Sequence, residues 1–167
     1  MSSGMGHLQK GHGIGFGDLD NDGDQDVYVT LGGAVEGDDA HNALFVNPNT
    51  GNNWLRLQLR SSENKNSIGA RVRVTGKTAS GNLQNWYHTV GDGGTFGSNS
   101  MELEIGMGAL TEILEVGIDW PGRKREVYKE FDINKAWICK EGVSMPQIRK
   151  LSRSVLKGNS GSKACCK

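Results

Sequence analysis

Nine residues, Asp18-Leu19-Asp20-Asn21-Asp22-Gly23-Asp24-Gln25-Asp26, restrict what this chain can become more than any other stretch. Aspartates at every second position repel one another unless something neutralises them. Wound round a tight turn, with Gly23 free to reverse the backbone, their oxygens converge on one hard cation. Ca²⁺ accepts roughly six to eight oxygens at about 2.3–2.6 Å, whereas Mg²⁺ keeps its waters and a stricter octahedron. The stretch is therefore read as a Ca²⁺ loop, with side-chain ligands from Asp18, Asp20, Asp22 and Asp26 and a carbonyl from Asp24. The competing reading is an Asp/Gly turn without metal, which leaves the clustered charges uncompensated.

The flanks decide which kind of loop this is. An EF-hand needs a bidentate Glu at its twelfth position and helices on both sides. Counted from Asp18 that position is Val29, which cannot ligate. Val27-Tyr28-Val29-Thr30-Leu31 after the loop is a β-branched and aromatic strand, and Gly13-Ile14-Gly15-Phe16-Gly17 before it is too glycine-rich for a helix. The loop thus joins two strands.

Further on, apolar residues fall on alternate positions in Leu55–Arg60, in Ile68–Val74, in Met101–Ile105 and through Leu114, Val116, Ile118 and Trp120. Each such run buries one face and leaves the other in water. Trp86–Val90, Glu126–Tyr128 and Ala136–Cys139 bring the strands to about seven, separated by Ser/Asn/Gly/Asp-rich turns. Short strands at these intervals predict an antiparallel β-sandwich.

His12-Gly13-Ile14-Gly15-Phe16-Gly17 running into Asp18–Asp26 and Val27-Tyr28-Val29 resembles an FG-GAP/VCBS repeat, the calcium-bearing blade unit of integrin-α-like propellers; Asn42–Asn47 resembles the strand that follows. Asn53-Trp54-Leu55, Ile68-Gly69-Ala70-Arg71-Val72, Gly93-Gly94-Thr95-Phe96, Gly106-Met107-Gly108 and Trp120-Pro121-Gly122 stand in the order and spacing of an ASPIC/UnbV domain. That module follows such repeats in secreted proteins resembling cartilage acidic protein and in bacterial surface proteins. The resemblance implies Ca²⁺ on Asp18, Asp20, Asp22, Asp24 and Asp26, and secretion or display at the cell surface. A single repeat cannot bury both faces alone. The expectation is a C-terminal piece of a longer protein, or a blade docked on the domain after it. No N-terminal apolar h-region is present, so no secretion signal is expected within these residues, and nothing in them approaches the ~18 consecutive apolar residues of a membrane span.

Net charge is zero but uneven: residues 1–50 hold one Lys against eight acids, residues 51–142 hold twelve bases and eleven acids, and residues 143–167 hold six bases and no acid. Interspersed charges in the middle give no nucleic-acid footprint. Cys139 is expected to be buried and Cys165 and Cys166 to be exposed; three thiols make neither a disulfide framework nor a zinc spacing. His88 lies on a strand without a nucleophile motif, and His12 reads as a strand-edge residue. Hydrolase carboxylates such as Asp92 or Asp119 would need a cleft and a raised pKa. Trp54, Trp86, Trp120 and Trp137 invite a glycan platform, although core filling is the simpler use for them. Residues 146–157 are expected to be a loose basic extension, or else a short amphipathic helix with Ile148, Leu151 and Val155 on one stripe.

The expected protein is all-β: a partial propeller blade with a calcium hairpin over residues 1–50, a β-sandwich over 51–142 and a basic, disordered tail over 143–167. Its expected role is non-enzymatic: an extracellular calcium-binding module meeting a protein or glycan partner in adhesion or matrix interaction. A carbohydrate-binding module with structural calcium is the alternative, and a hydrolase ranks behind both. The sequence does not set the oligomeric state.

Overall fold

A computed structural model describes residues 5–6, 10–33, 35–48, 51–62, 67–91, 93 and 99–156. Every regular element among them is a strand. Strands β1 (Gly11–Gly17), β2 (Asp26–Leu31) and β3 (Ala43–Phe45) form an antiparallel sheet in the order β1-β2-β3. His12 is the extra residue of a bulge between Gly11 and Gly13 and is exposed. This sheet buries little: Val29 is inside, while Ile14, Phe16, Tyr28 and Leu44 each remain over 40% exposed.

Eight further strands make two four-stranded sheets. Strands β4 (Asn53–Arg60), β7 (Leu103–Gly108), β10 (Lys135–Lys140) and β11 (Gln147–Arg149) lie in the order β11-β10-β4-β7. Strands β5 (Arg71–Thr78), β6 (Leu83–Thr89), β8 (Leu110–Asp119) and β9 (Arg125–Tyr128) lie in the order β6-β5-β8-β9. Both sheets contribute to one cluster of buried side chains, with Leu55, Leu57, Ile105 and Cys139 from the first and Val72, Val74, Val116, Ile118 and Tyr128 from the second.

Three details depart from the alternation read in the sequence. Strand β10 pairs with β4 in parallel, so the first sheet is mixed. That pairing is open to β10 because residues 61–134, which include the whole second sheet, form the crossover. In β8, Leu114 is a bulge residue: Thr75 pairs with Glu115 but Gly76 with Ile113. The slip moves the buried position from Leu114 to Ile113. Finally, residues 147–149 form an edge strand on β10 and not a helix, so Ile148 faces Trp137 across the ladder.

Trp120 and Trp137 are buried, and Trp54 and Trp86 are half-buried. Trp120 donates its indole N–H to Glu126 (2.7 Å), and Trp137 stacks edge-on against Phe131 with centroids 5.1 Å apart. The Trp120-Pro121-Gly122 turn closes the β8–β9 hairpin with Gly122 at φ +69°. His88 is half-buried on β6, and desolvation lowers its pKa. Asp92, Gly94–Phe96, Cys165, Cys166 and the tail beyond residue 156 lie outside the described residues.

Cys139 is fully enclosed, and burial pushes its thiol up to about 12, with the Glu126 charge adding to the effect. Alkylation of the native protein with iodoacetamide near pH 8 should leave the Cys139 peptide unmodified, and the denatured protein should modify it fully. Appreciable native labelling would contradict the enclosure. Tyr128 is raised in the same way by burial and by Glu126. Both groups hold their protons in the fold at pH values where the unfolded chain has lost them, so stability should fall as pH rises beyond about 9.

Candidate metal centre

The β1–β2 connection winds its own backbone around its own carboxylates. Asp22 N–H donates to Asp18 Oδ1 (3.0 Å) and to Asp20 Oδ1 (3.2 Å), Gly23 N–H to Asp18 Oδ2 (3.0 Å), and Asp24 N–H to Asp22 Oδ1 (3.2 Å). Short polar side chains favour such turns because they reach the amides just ahead. Asn21 takes φ +59°, which Asn tolerates, and Gly23 takes φ +103°.

The result brings together three of the five aspartates. Asp18, Asp20 and Asp22 each offer a carboxylate oxygen within 4.8 Å of the others. Asp26 is 1% exposed and accepts from Leu19 N–H (3.0 Å) and Asn47 N–H (2.9 Å). It thereby ties the start of the loop to the end of β3. Asp24 has its carboxylate buried and lines a cavity of about 270 Å³ beside the loop, together with Asp18, Trp54, Arg56 and Glu104.

What holds the loop is the outward face of β4 and β7, a face that alternation assigns to water. Trp54 and Arg56 share that face of β4, and the register sets Arg56 opposite Glu104. The Trp54 indole lies against Gly23 so closely that a Cβ there would overlap it. Arg56, only 8% exposed, places Nη1 3.3 Å from Asp18 Oδ2 and 2.8 Å from Asn21 Oδ1. Its Nη2 meets Glu104 Oε1 at 2.9 Å, and its Nε lies 3.4 Å from Glu102. Glu104 in turn accepts from Asp18 N–H (3.1 Å) and the Gln25 amide (3.3 Å), gripping both ends of the loop. Arg149, on β11, reaches Glu102 at 2.8 Å. The residues after β11 come over the opposite side of the loop, where Arg153 lies 3.4 Å from Asp22.

At Asp18, burial outweighs the neighbouring charges and hydrogen bonds. The pKa of Asp18 is raised, chiefly by desolvation and further by Glu104, against the lowering pull of Arg56 and the Asp22 and Gly23 amides. The Asp18, Asp20 and Asp22 carboxylates, with Glu102 and Glu104 beneath them, make five acids, and Arg56, Arg149 and Arg153 nearby supply fewer positive charges. A divalent cation fits that donor set, all hard oxygen and negatively charged in excess.

Sequence reasoning located the acidic triad but missed Arg56, Glu102, Glu104, Arg149 and Arg153. Alternation marked the first three as solvent-facing, and nothing local signals that a loop 38 to 86 residues earlier comes down on them. No curated protein matches the sequence. Residues 60–145 match the ASPIC and UnbV family, a span that takes in β5–β10 and lies apart from the aspartate loop. Over half of its length, therefore, the chain belongs to the ASPIC and UnbV family.

Proposed function

We propose that this chain is a calcium-binding, non-enzymatic module of the extracellular space or cell surface, in which Ca²⁺ fixes the β1–β2 hairpin onto the ASPIC/UnbV domain. The observation that carries this reading is the convergence of Asp18, Asp20 and Asp22 oxygens within 4.8 Å. Bound there, the cation would offset the repulsion that burial of these carboxylates creates. Its binding energy would become folding energy for the loop. Trp54, Arg56 and Glu104 would then pass that rigidity to the β11-β10-β4-β7 sheet.

The three-stranded sheet is read as an FG-GAP/VCBS-like blade unit and the two larger sheets as a β-sandwich. Exposed Ile14 and Phe16 on one face of this sheet, and Tyr28 and Leu44 on the other, give the blade apolar surface for neighbouring protein, in line with an adhesion or matrix role. Extracellular calcium modules bind at about 10⁻⁴–10⁻³ M, which suits saturation outside cells.

Thermal unfolding in EGTA and in about 5 mM Ca²⁺ tests the reading. At roughly tenfold above Kd the stabilisation is about 1.4 kcal/mol, a rise of about 3–6 °C for a chain of this size. Asp22→Asn should abolish the rise. An equal response in the variant, or none in the wild type, would reject the site.

A further inference from the structure

The loop is touched by a segment 131 to 135 residues further along the chain. Ser154 donates its N–H to the Asp20 carbonyl (2.9 Å) and its hydroxyl to the Leu19 carbonyl (3.2 Å), and the Asn21 amide donates to the Ser152 carbonyl (2.9 Å). Between these anchors Arg153 sets its Nη2 3.4 Å from Asp22 Oδ2. The Asp22 side chain is 5% exposed and that of Arg153 69%. A buried member of the acidic triad is thus met by a cation from the solvent side. Arg56 meets Asp18 in a comparable way from beneath, but it is enclosed and tied to several acceptors.

We propose that Arg153 is a built-in competitor for the divalent cation at Asp22, displaced when the loop is loaded while Ser152 and Ser154 keep the segment alongside. The proposal rests on the calcium reading above and assigns Arg153 the setting of that site's affinity. A cation among the oxygens of Asp18, Asp20 and Asp22 draws on the carboxylate that Arg153 holds, and it repels a guanidinium a few ångströms away. The anchors on the Leu19 and Asp20 carbonyls are neutral hydrogen bonds, so they persist through the exchange and keep the guanidinium at high effective concentration. An exposed ion pair is a weak interaction, which makes Arg153 a tuner of affinity and not a block.

Titration of the full chain with CaCl₂ at low salt, followed by intrinsic tryptophan fluorescence or calorimetry, compares the wild type with Arg153→Gln and Lys150→Gln. Arg153→Gln should bind Ca²⁺ about two- to fivefold more tightly, the range that an exposed ion pair supports. Lys150→Gln removes the same charge from an exposed neighbour and should leave Kd nearly unchanged. High salt should narrow the difference between the wild type and Arg153→Gln. Equal or weaker binding by Arg153→Gln overturns the competitor and leaves the calcium site standing. Equal tightening by Lys150→Gln also overturns it, because net charge alone would then explain the gain. A wild type that binds no Ca²⁺ removes both readings.

Discussion

Replacing Arg56 with Met should lower the melting temperature by about 10 °C or more in EGTA, the largest loss expected from any single polar side chain here. The guanidinium is buried among Asp18, Glu102, Glu104 and Asn21, and a thioether of similar length leaves the three carboxylates facing one another without it. Removing one partner from a buried charged cluster costs about 3–5 kcal/mol, far more than an exposed pair would. Arg56→Lys should recover little, since an ammonium cannot span acceptors that the planar guanidinium meets on separate nitrogens. Adding Glu104→Gln to Arg56→Met should restore part of the loss by removing one of the stranded charges. Calorimetric melts of these variants check the whole series; an Arg56→Met protein melting within about 2 °C of the wild type would show that the cluster is not a folding determinant.

Gly23→Ala should cost about 2–4 kcal/mol and remove the calcium-dependent rise in melting temperature. Two effects add. A φ of +103° is strained for any residue with a Cβ, on the order of 1–3 kcal/mol, and the new methyl would overlap the Trp54 indole. Gly33→Ala separates the two contributions. Gly33 sits at φ +78° with open space where a Cβ would go, so it reports backbone strain alone. The Gly23 variant should therefore lose clearly more than the Gly33 variant in chemical denaturation. Equal losses would mean that the indole moves aside freely and does not clamp the loop.

The strands were largely legible because period-two alternation follows from the pleat itself. Leu55, Leu57 and Leu59 on β4, and Val72 and Val74 on β5, point inward as their spacing requires. Reading failed where the ladder slips. Leu114 matches the inward phase in sequence, yet bulges on both sides of Ile113 reset that phase, and a bulge leaves no mark in a run of apolar letters. The edge strand of the tail went unread for a different reason. The helical stripe of Ile148, Leu151 and Val155 is a local propensity, whereas the open edge of β10 offers Gln147–Arg149 a ladder to join.

The aspartate loop was encoded locally: side chains that cap the amides just ahead, an Asn and a Gly at positive φ, and repulsion that asks for a cation all follow from nine consecutive residues. By itself the sequence thus determined the turn, its charge and the all-β pattern around it. Only the tertiary structure decided that Asp26 serves the backbone, that Trp54, Arg56 and Glu104 carry the loop, and that Arg153 meets it from the far end of the described chain. Those partners lie roughly 30 to 130 residues from the aspartates they serve, and residues so far apart come together only once the sheets have set the register between them.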